Sequence, residues 1–139
     1  MDAKERLERN LLSEAEAYGY TLSVWGSGAL LIHVYHVPSA PAVLLFVLGG
    51  LLAFATMAAV AFSRPFRRVE ADADDTLIAA SIIHVVATLG NLLLAWGVIG
   101  GLDAAGVGLA VSALVVGYQT SLAYNLLLLL EARLARLLV

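Results

Sequence analysis

Four stretches of roughly twenty residues, 18–37, 42–62, 76–99 and 107–130, contain no Asp, Glu, Lys or Arg. A helix crossing the hydrocarbon core of a bilayer needs about 20 predominantly apolar residues. Across the 139 residues, 61% are hydrophobic and 14% charged. An ordinary soluble domain is about 45–50% apolar and about 25% charged. A chain this short, folded in water, has too much surface to hide that much apolar area. The pattern predicts an all-α integral membrane four-helix bundle. It argues against a soluble enzyme, a disordered chain and a nucleic-acid-binding protein. No basic patch interleaves with aromatics, so nucleic acid is not an expected partner. The bilayer is.

The breaks between stretches are chemically distinct. Pro38-Ser39-Ala40-Pro41 is a tight stop, because proline ends a helix and restricts the residue before it. Residues 100–106 form a glycine-marked turn. The longest polar connection is 63–75. Lys4, Arg6 and Arg9 precede the first stretch, Arg64, Arg67 and Arg68 follow the second, and Arg133 and Arg136 follow the fourth. With four crossings every one of these positive charges falls on one side. The positive-inside rule then puts both termini and the long connection in the cytoplasm, with the chain in the cell membrane. The charged first residues offer no short apolar segment before a cleavage site, so no cleavable signal peptide is predicted.

Both ends read as helix beyond the membrane. Residues 1–17 hold Lys4 with Glu8 and Glu5 with Arg9 at helical spacing. Leu7, Leu11, Ala15 and Tyr18 make a stripe there. Residues 131–139 continue the fourth span without a breaker. The single domain is therefore expected to carry cytoplasmic helical extensions from its first and last spans. These suit a cytoplasmic or membrane protein partner.

The uncharged spans exclude voltage sensors, which repeat arginines along a helix. They also argue against small proton-coupled exporters, which need a membrane-embedded carboxylate. What remains is neutral or weakly basic. Ser81, His84, Thr88, Asn91 and Ala95 recur at alternating spacings of three and four on one helix face. Ser112 and Gln119 share a face of the fourth span, while Tyr118, Ser121 and Asn125 lie on another. Counting helical rise from the loops puts Ser27, Thr56, His84 and Gln119 in one layer, with Asn91 further out near Ser112. An unpaired polar group in hydrocarbon costs several kcal/mol, so these side chains must face each other, a partner subunit or water. Hydrogen-bonded glue between helices and the lining of a wet path use the same residues.

The histidines do not suggest a cofactor. His33 and His84 differ by roughly 10 Å along the membrane normal, too far for axial haem ligation within one subunit. His33 and His36 have no carboxylate or thiolate nearby to complete a metal site. Cysteine is absent, which removes thiol redox chemistry and thiolate metal sites. No nucleophile–base pair or carboxylate dyad marks an enzyme.

Small residues recur every four positions: Gly19, Ser23 and Ser27; Gly49 and Ala53; Ala113, Gly117 and Ser121. Such rows allow close helix approach. The second polar or small face of the fourth span predicts contact with another protomer, hence a homo-oligomer. In layout alone, four spans with cytoplasmic projections from the first and last, the chain is similar to store-operated calcium channel subunits. Histidines stand where that family carries an acidic ring residue, and no functional residue carries over.

Two functions follow as expectations. One is an oligomeric channel or transporter-like pore for a small ion or solute. Ser27, Ser81, His84, Thr88, Asn91, Ser112 and Gln119 would form its polar layer or lining. Glu70, Asp72, Asp74 and Asp75 would form an acidic vestibule. The other is a non-conducting scaffold or accessory subunit of a larger membrane complex.

Overall fold

The computed structural model describes residues 3–36, 39–62 and 77–137. Among them are four α-helices and no strand: α1 (Ala3–Tyr35), α2 (Ala40–Phe62), α3 (Leu77–Ala104) and α4 (Leu109–Leu137). Three segments are long and apolar enough to cross a membrane: Ala40–Ala61, His84–Ala104 and Leu109–Leu134. No segment of α1 is among these three. Its tyrosines, serines, glycines and histidine dilute the apolar run.

Three of the four helix ends at the two short turns have an identifiable cap. His36 closes α1 in the left-handed region, at φ 58°, and its N–H donates to the Ile32 carbonyl at 2.8 Å. The Ser39 hydroxyl accepts the Ala42 N–H at 3.3 Å, so serine caps α2 and Ala40-Pro41 forms its first turn. At the end of α3, Val107 N–H reaches the Leu102 carbonyl at 2.9 Å and Gly106 N–H reaches Asp103 at 2.9 Å. That is a Schellman closure, and it needs a left-handed residue, which Gly106 supplies at φ 72°.

The packing order is not the chain order. α4 packs against each of the other three helices, and α1 packs against α3 as well. Although only a short turn joins α1 to α2, α2 packs against α4 rather than α1. The reason lies at two glycines. A Cβ at Gly117 would run into the Phe46 carbonyl, and one at Gly49 into the Leu114 carbonyl. The α2 and α4 backbones therefore touch directly, which only small-residue rows permit. The α4 face expected to meet a second protomer meets α2 within the chain instead.

Burial runs opposite to that of a water-soluble protein. Ser23, Ser27, Asn91, Ser112 and Thr120 are completely buried, whereas Trp25 is 75% exposed, Leu44 70% and Leu93 65%. A broad surface of large apolar side chains around a core of serine, threonine, asparagine and alanine suits lipid as solvent. α1 shares this pattern: Gly19, Ser23, Ser27 and Leu31 face inward every four residues, and Tyr18, Leu22, Trp25 and Ile32 face outward.

Candidate functional site: a polar column between α1, α3 and α4

Asn91 is the hub. Its Nδ2 donates to the Thr120 carbonyl at 2.8 Å, and its Oδ1 accepts from Gln119 Nε2 at 2.8 Å. The Thr120 carbonyl belongs to the α4 ladder and has a second lone pair to offer. α1 supplies the third wall. A Cβ at Gly19 would meet Thr88 and Tyr124, and one at Gly26 would meet Leu92. Ser23, between those two glycines on the buried face, thus sits at the Asn91 level. Ser27 is one turn beyond it.

Several polar atoms here lack a partner. The hydroxyls of Ser23, Ser27 and Thr120 and the Gln119 Oε1 are all buried without a hydrogen bond. A helical serine or threonine normally has the carbonyl four residues back as a fallback acceptor. Thr88 uses it, donating to the His84 carbonyl at 2.6 Å, and Thr21 does so toward Ala17 at 2.8 Å. Ser23, Ser27 and Thr120 do not, although they occupy the same kind of helix.

Toward the N-terminal end of α3 the column continues to His84, whose Nδ1 is buried and unpaired. Both carboxylate oxygens of Glu131 are likewise buried without a partner, and the carboxyl lies against the backbone of Ala87 on α3. Toward the other end the column stops. Leu31, Ala95, Ile99, Ala113 and Val116 close it with an apolar cluster. Beyond that cluster, Tyr35 donates to the Val107 carbonyl at 2.9 Å. Its single hydroxyl proton is thereby used, so at 2.7 Å it accepts from Ser112.

The sequence-expected residues divide accordingly. Ser27, His84, Thr88, Asn91 and Gln119 fall along this column. Ser112 is separated from it by the apolar cluster and belongs with Tyr35. Ser81 lies on α3, and its side chain is outside the described residues, as are Glu70, Asp72, Asp74 and Asp75 altogether. The expected single layer of Ser27, Thr56, His84 and Gln119 does not form. Gln119 pairs with Asn91, one level from Ser27 and about 10 Å along the axis from His84. Thr56 lies on α2 and accepts from Tyr118 at 3.1 Å. Counting depth from loop ends fails because it does not fix the register between helices: α4 meets α3 with Gln119 at Asn91, two turns from His84.

Sequence reasoning placed Ser23 only in a small-residue packing row and missed Thr120 and Glu131. Glu131 was set aside because the fourth span was ended at Leu130. In the fold α4 runs on to Leu137 and its apolar segment to Leu134, so Glu131 falls within that segment. His33 and His36 are both exposed, with ring centroids 6.5 Å apart. Among the described residues no cluster of three or more His, Asp or Glu could hold a metal ion.

On the opposite side of α4 a groove runs between α1 and α2. Its wider part, about 390 Å³, is lined by apolar side chains including Trp25, Ile32, Val43 and Phe46. A smaller recess of about 230 Å³ beside it reaches Tyr20, Thr120 and Ser121. Tyr20 bonds Ser121 at 2.9 Å and packs edge-on against Phe54 with ring centroids 5.9 Å apart. Comparison of the chain with protein-family models, with curated proteins and with solved structures finds no match.

Proposed function

We propose that this chain is a transporter-like pore for a small ion or solute, with the path inside each protomer along the α1–α3–α4 column. The observation that carries the reading is the stack of unpaired buried polar atoms on Ser23, Ser27, His84, Gln119, Thr120 and Glu131. Groups in hydrocarbon that no protein atom satisfies cost several kcal/mol each. Water or a permeating solute meets that demand; a solid bundle does not. The apolar cluster around Leu31 and Ile99 then acts as the closed gate.

In this reading α1 is the fourth crossing, because Tyr18, Leu22, Trp25 and Ile32 face outward along it around a small-residue inner face. Four crossings also gather Lys4, Arg6, Arg9, Arg64, Arg67, Arg68, Arg133 and Arg136 on one side, the cytoplasmic one. His84 and Glu131 then lie at the cytoplasmic end of the column. The exposed faces of α1 and α3, with Trp25 and Trp96, are available for the homo-oligomer. The scaffold reading is favoured by one observation: Asn91 and Gln119 satisfy each other, as interhelical glue does.

Ion flux into proteoliposomes, measured across several salts and pH values, separates the two. Flux is expected in the parent and lost in Gln119→Leu with assembly intact. No flux in the parent under any condition removes the pore reading, and loss of assembly in Gln119→Leu supports the scaffold.

A further inference from the structure

We propose that His84 and Glu131 form a proton-exchange site at the N-terminal end of α3, so that the ion handled by the column is the proton. The inference rests on the column's being a conduction path and names what that path carries.

The juxtaposition comes from two helices running in opposite directions. The Glu131 carboxyl lies against Ala87, three residues along α3 from His84, which is just under one helical turn. Neither the imidazole Nδ1 nor either carboxylate oxygen has a hydrogen-bond partner, and all three atoms are buried. An ionised carboxylate with no side-chain donor on either oxygen, and only the Ala87 backbone beside it, needs a cation or a proton as its counterpart. Among the described residues no cationic side chain supplies it: Lys4, Arg6, Arg9 and Arg133 are exposed, and the side chains of Arg64, Arg67, Arg68 and Arg136 lie outside the described residues. Among the described residues, the other titratable groups on the neighbouring helices are also remote or exposed. α1 presents Glu5 and Glu14 to solvent, and the side chains of Glu8 and Glu16 lie outside the described residues. α2 carries no charged side chain, and α3 carries only Asp103, at its far end.

Two ligands without a third are too few for a divalent transition metal. They are the right number for one proton. With hydrogen on Nε2, the imidazole offers Nδ1 as acceptor, and a protonated Glu131 offers its O–H as donor. Because the two groups do not touch directly, the transfer runs through one bridging water: Glu131 gives its proton to the water as the water gives one to Nδ1, which leaves a carboxylate and an imidazolium, with the water unchanged. Histidine is the side chain whose charge changes most readily near neutral pH. Thr88, whose hydroxyl is committed to the His84 carbonyl, holds the backbone at this turn.

The test has a spectroscopic arm independent of transport. In lipid vesicles containing the full chain, a pH step followed by infrared difference spectroscopy should change a carboxyl band. Glu131→Gln should remove that band and His84→Gln should displace it. Proton flux, read by an entrapped pH dye, should fall in Glu131→Gln to the level of protein-free vesicles. A band that His84→Gln leaves unmoved, or no band assignable to Glu131, overturns the site whatever the flux. A coupled band with no proton flux in the parent supports the site and removes the conduction reading instead. Should Glu131→Gln fail to assemble, Glu131→Asp keeps the carboxyl on a shorter arm. Its band must then shift, and an unchanged band overturns the site.

Discussion

α4 presents two faces that solve opposite problems. Toward α2 it offers Gly117, and the Phe46 carbonyl fills the space a side chain would take. Toward α1 and α3 it offers Gln119, Thr120 and Glu131, whose polar atoms outnumber the partners they find. The first face is backbone on backbone, with Thr56 and Tyr118 hydrogen-bonded to each other. The second is side chain on side chain, held by Asn91. In a membrane, where lipid competes equally for apolar surface, close packing is what stabilises a helix pair. One tightly packed face allows the other to remain polar and under-bonded. The contrast teaches that α2–α4 is the close-packed seam and α1–α3–α4 the under-bonded one.

The largest effect should come from the seam. Gly117→Val places two methyl groups where the Phe46 carbonyl already stands. Backbone cannot yield as a flexible side chain can, so a loss of about 3 kcal/mol or more is expected. Reversible unfolding in mixed detergent micelles measures it. Gly26→Ala is the internal control: there the obstacle is the Leu92 side chain, which can change rotamer, and less than about 1 kcal/mol is expected. Equal losses at the two glycines would erase the distinction between faces.

A smaller effect is expected at the hub. Asn91→Leu removes the acceptor of Gln119 and the donor to the Thr120 carbonyl together. Interhelical hydrogen bonds in membranes average about 0.6 kcal/mol and reach about 1.7. The same unfolding assay should therefore register about 1–2 kcal/mol. A double-mutant cycle with Gln119→Leu should return a coupling of about 0.6 kcal/mol. Zero coupling would mean that the two amides contribute independently.

The smallest stability change, and the sharpest functional one, belongs to Ser23→Ala. Its hydroxyl bonds nothing in the protein, so removing it should alter stability by no more than about 0.5 kcal/mol. Flux through the column should nonetheless drop, because a water-binding group is gone. A loss of stability comparable to that of Asn91→Leu, with flux unchanged, would make Ser23 part of a close-packed seam.

Much of this architecture was legible in the residues. Long apolar runs predict helices crossing a bilayer, and the Pro38–Pro41 and glycine-marked breaks fall where α1 gives way to α2 and α3 to α4. These are local properties: hydropathy, the ring of proline, the left-handed freedom of Gly106. The polar stripe of α3 was legible too, because residues three and four apart share a face whatever the helix packs against.

Pairing across helices was not legible. Which level of α3 meets which level of α4 depends on how far each helix slides and where it ends, and composition cannot report either. Counting placed Asn91 further out than Gln119, near the level of Ser112, and in the fold it bonds Gln119. The row at Gly117 was given to a second protomer and is filled by α2. Glu131, next to an unbroken run of leucines, looked like the first residue of a cytoplasmic tail. Only the continuation of α4 along α3 turns its carboxyl toward Ala87 and away from solvent. The sequence alone determined that the chain is helical, apolar outside and polar along chosen faces. The tertiary structure decided which of those faces meet, because helix–helix register is set by the summed fit of side chains and backbone that lie far apart in the chain.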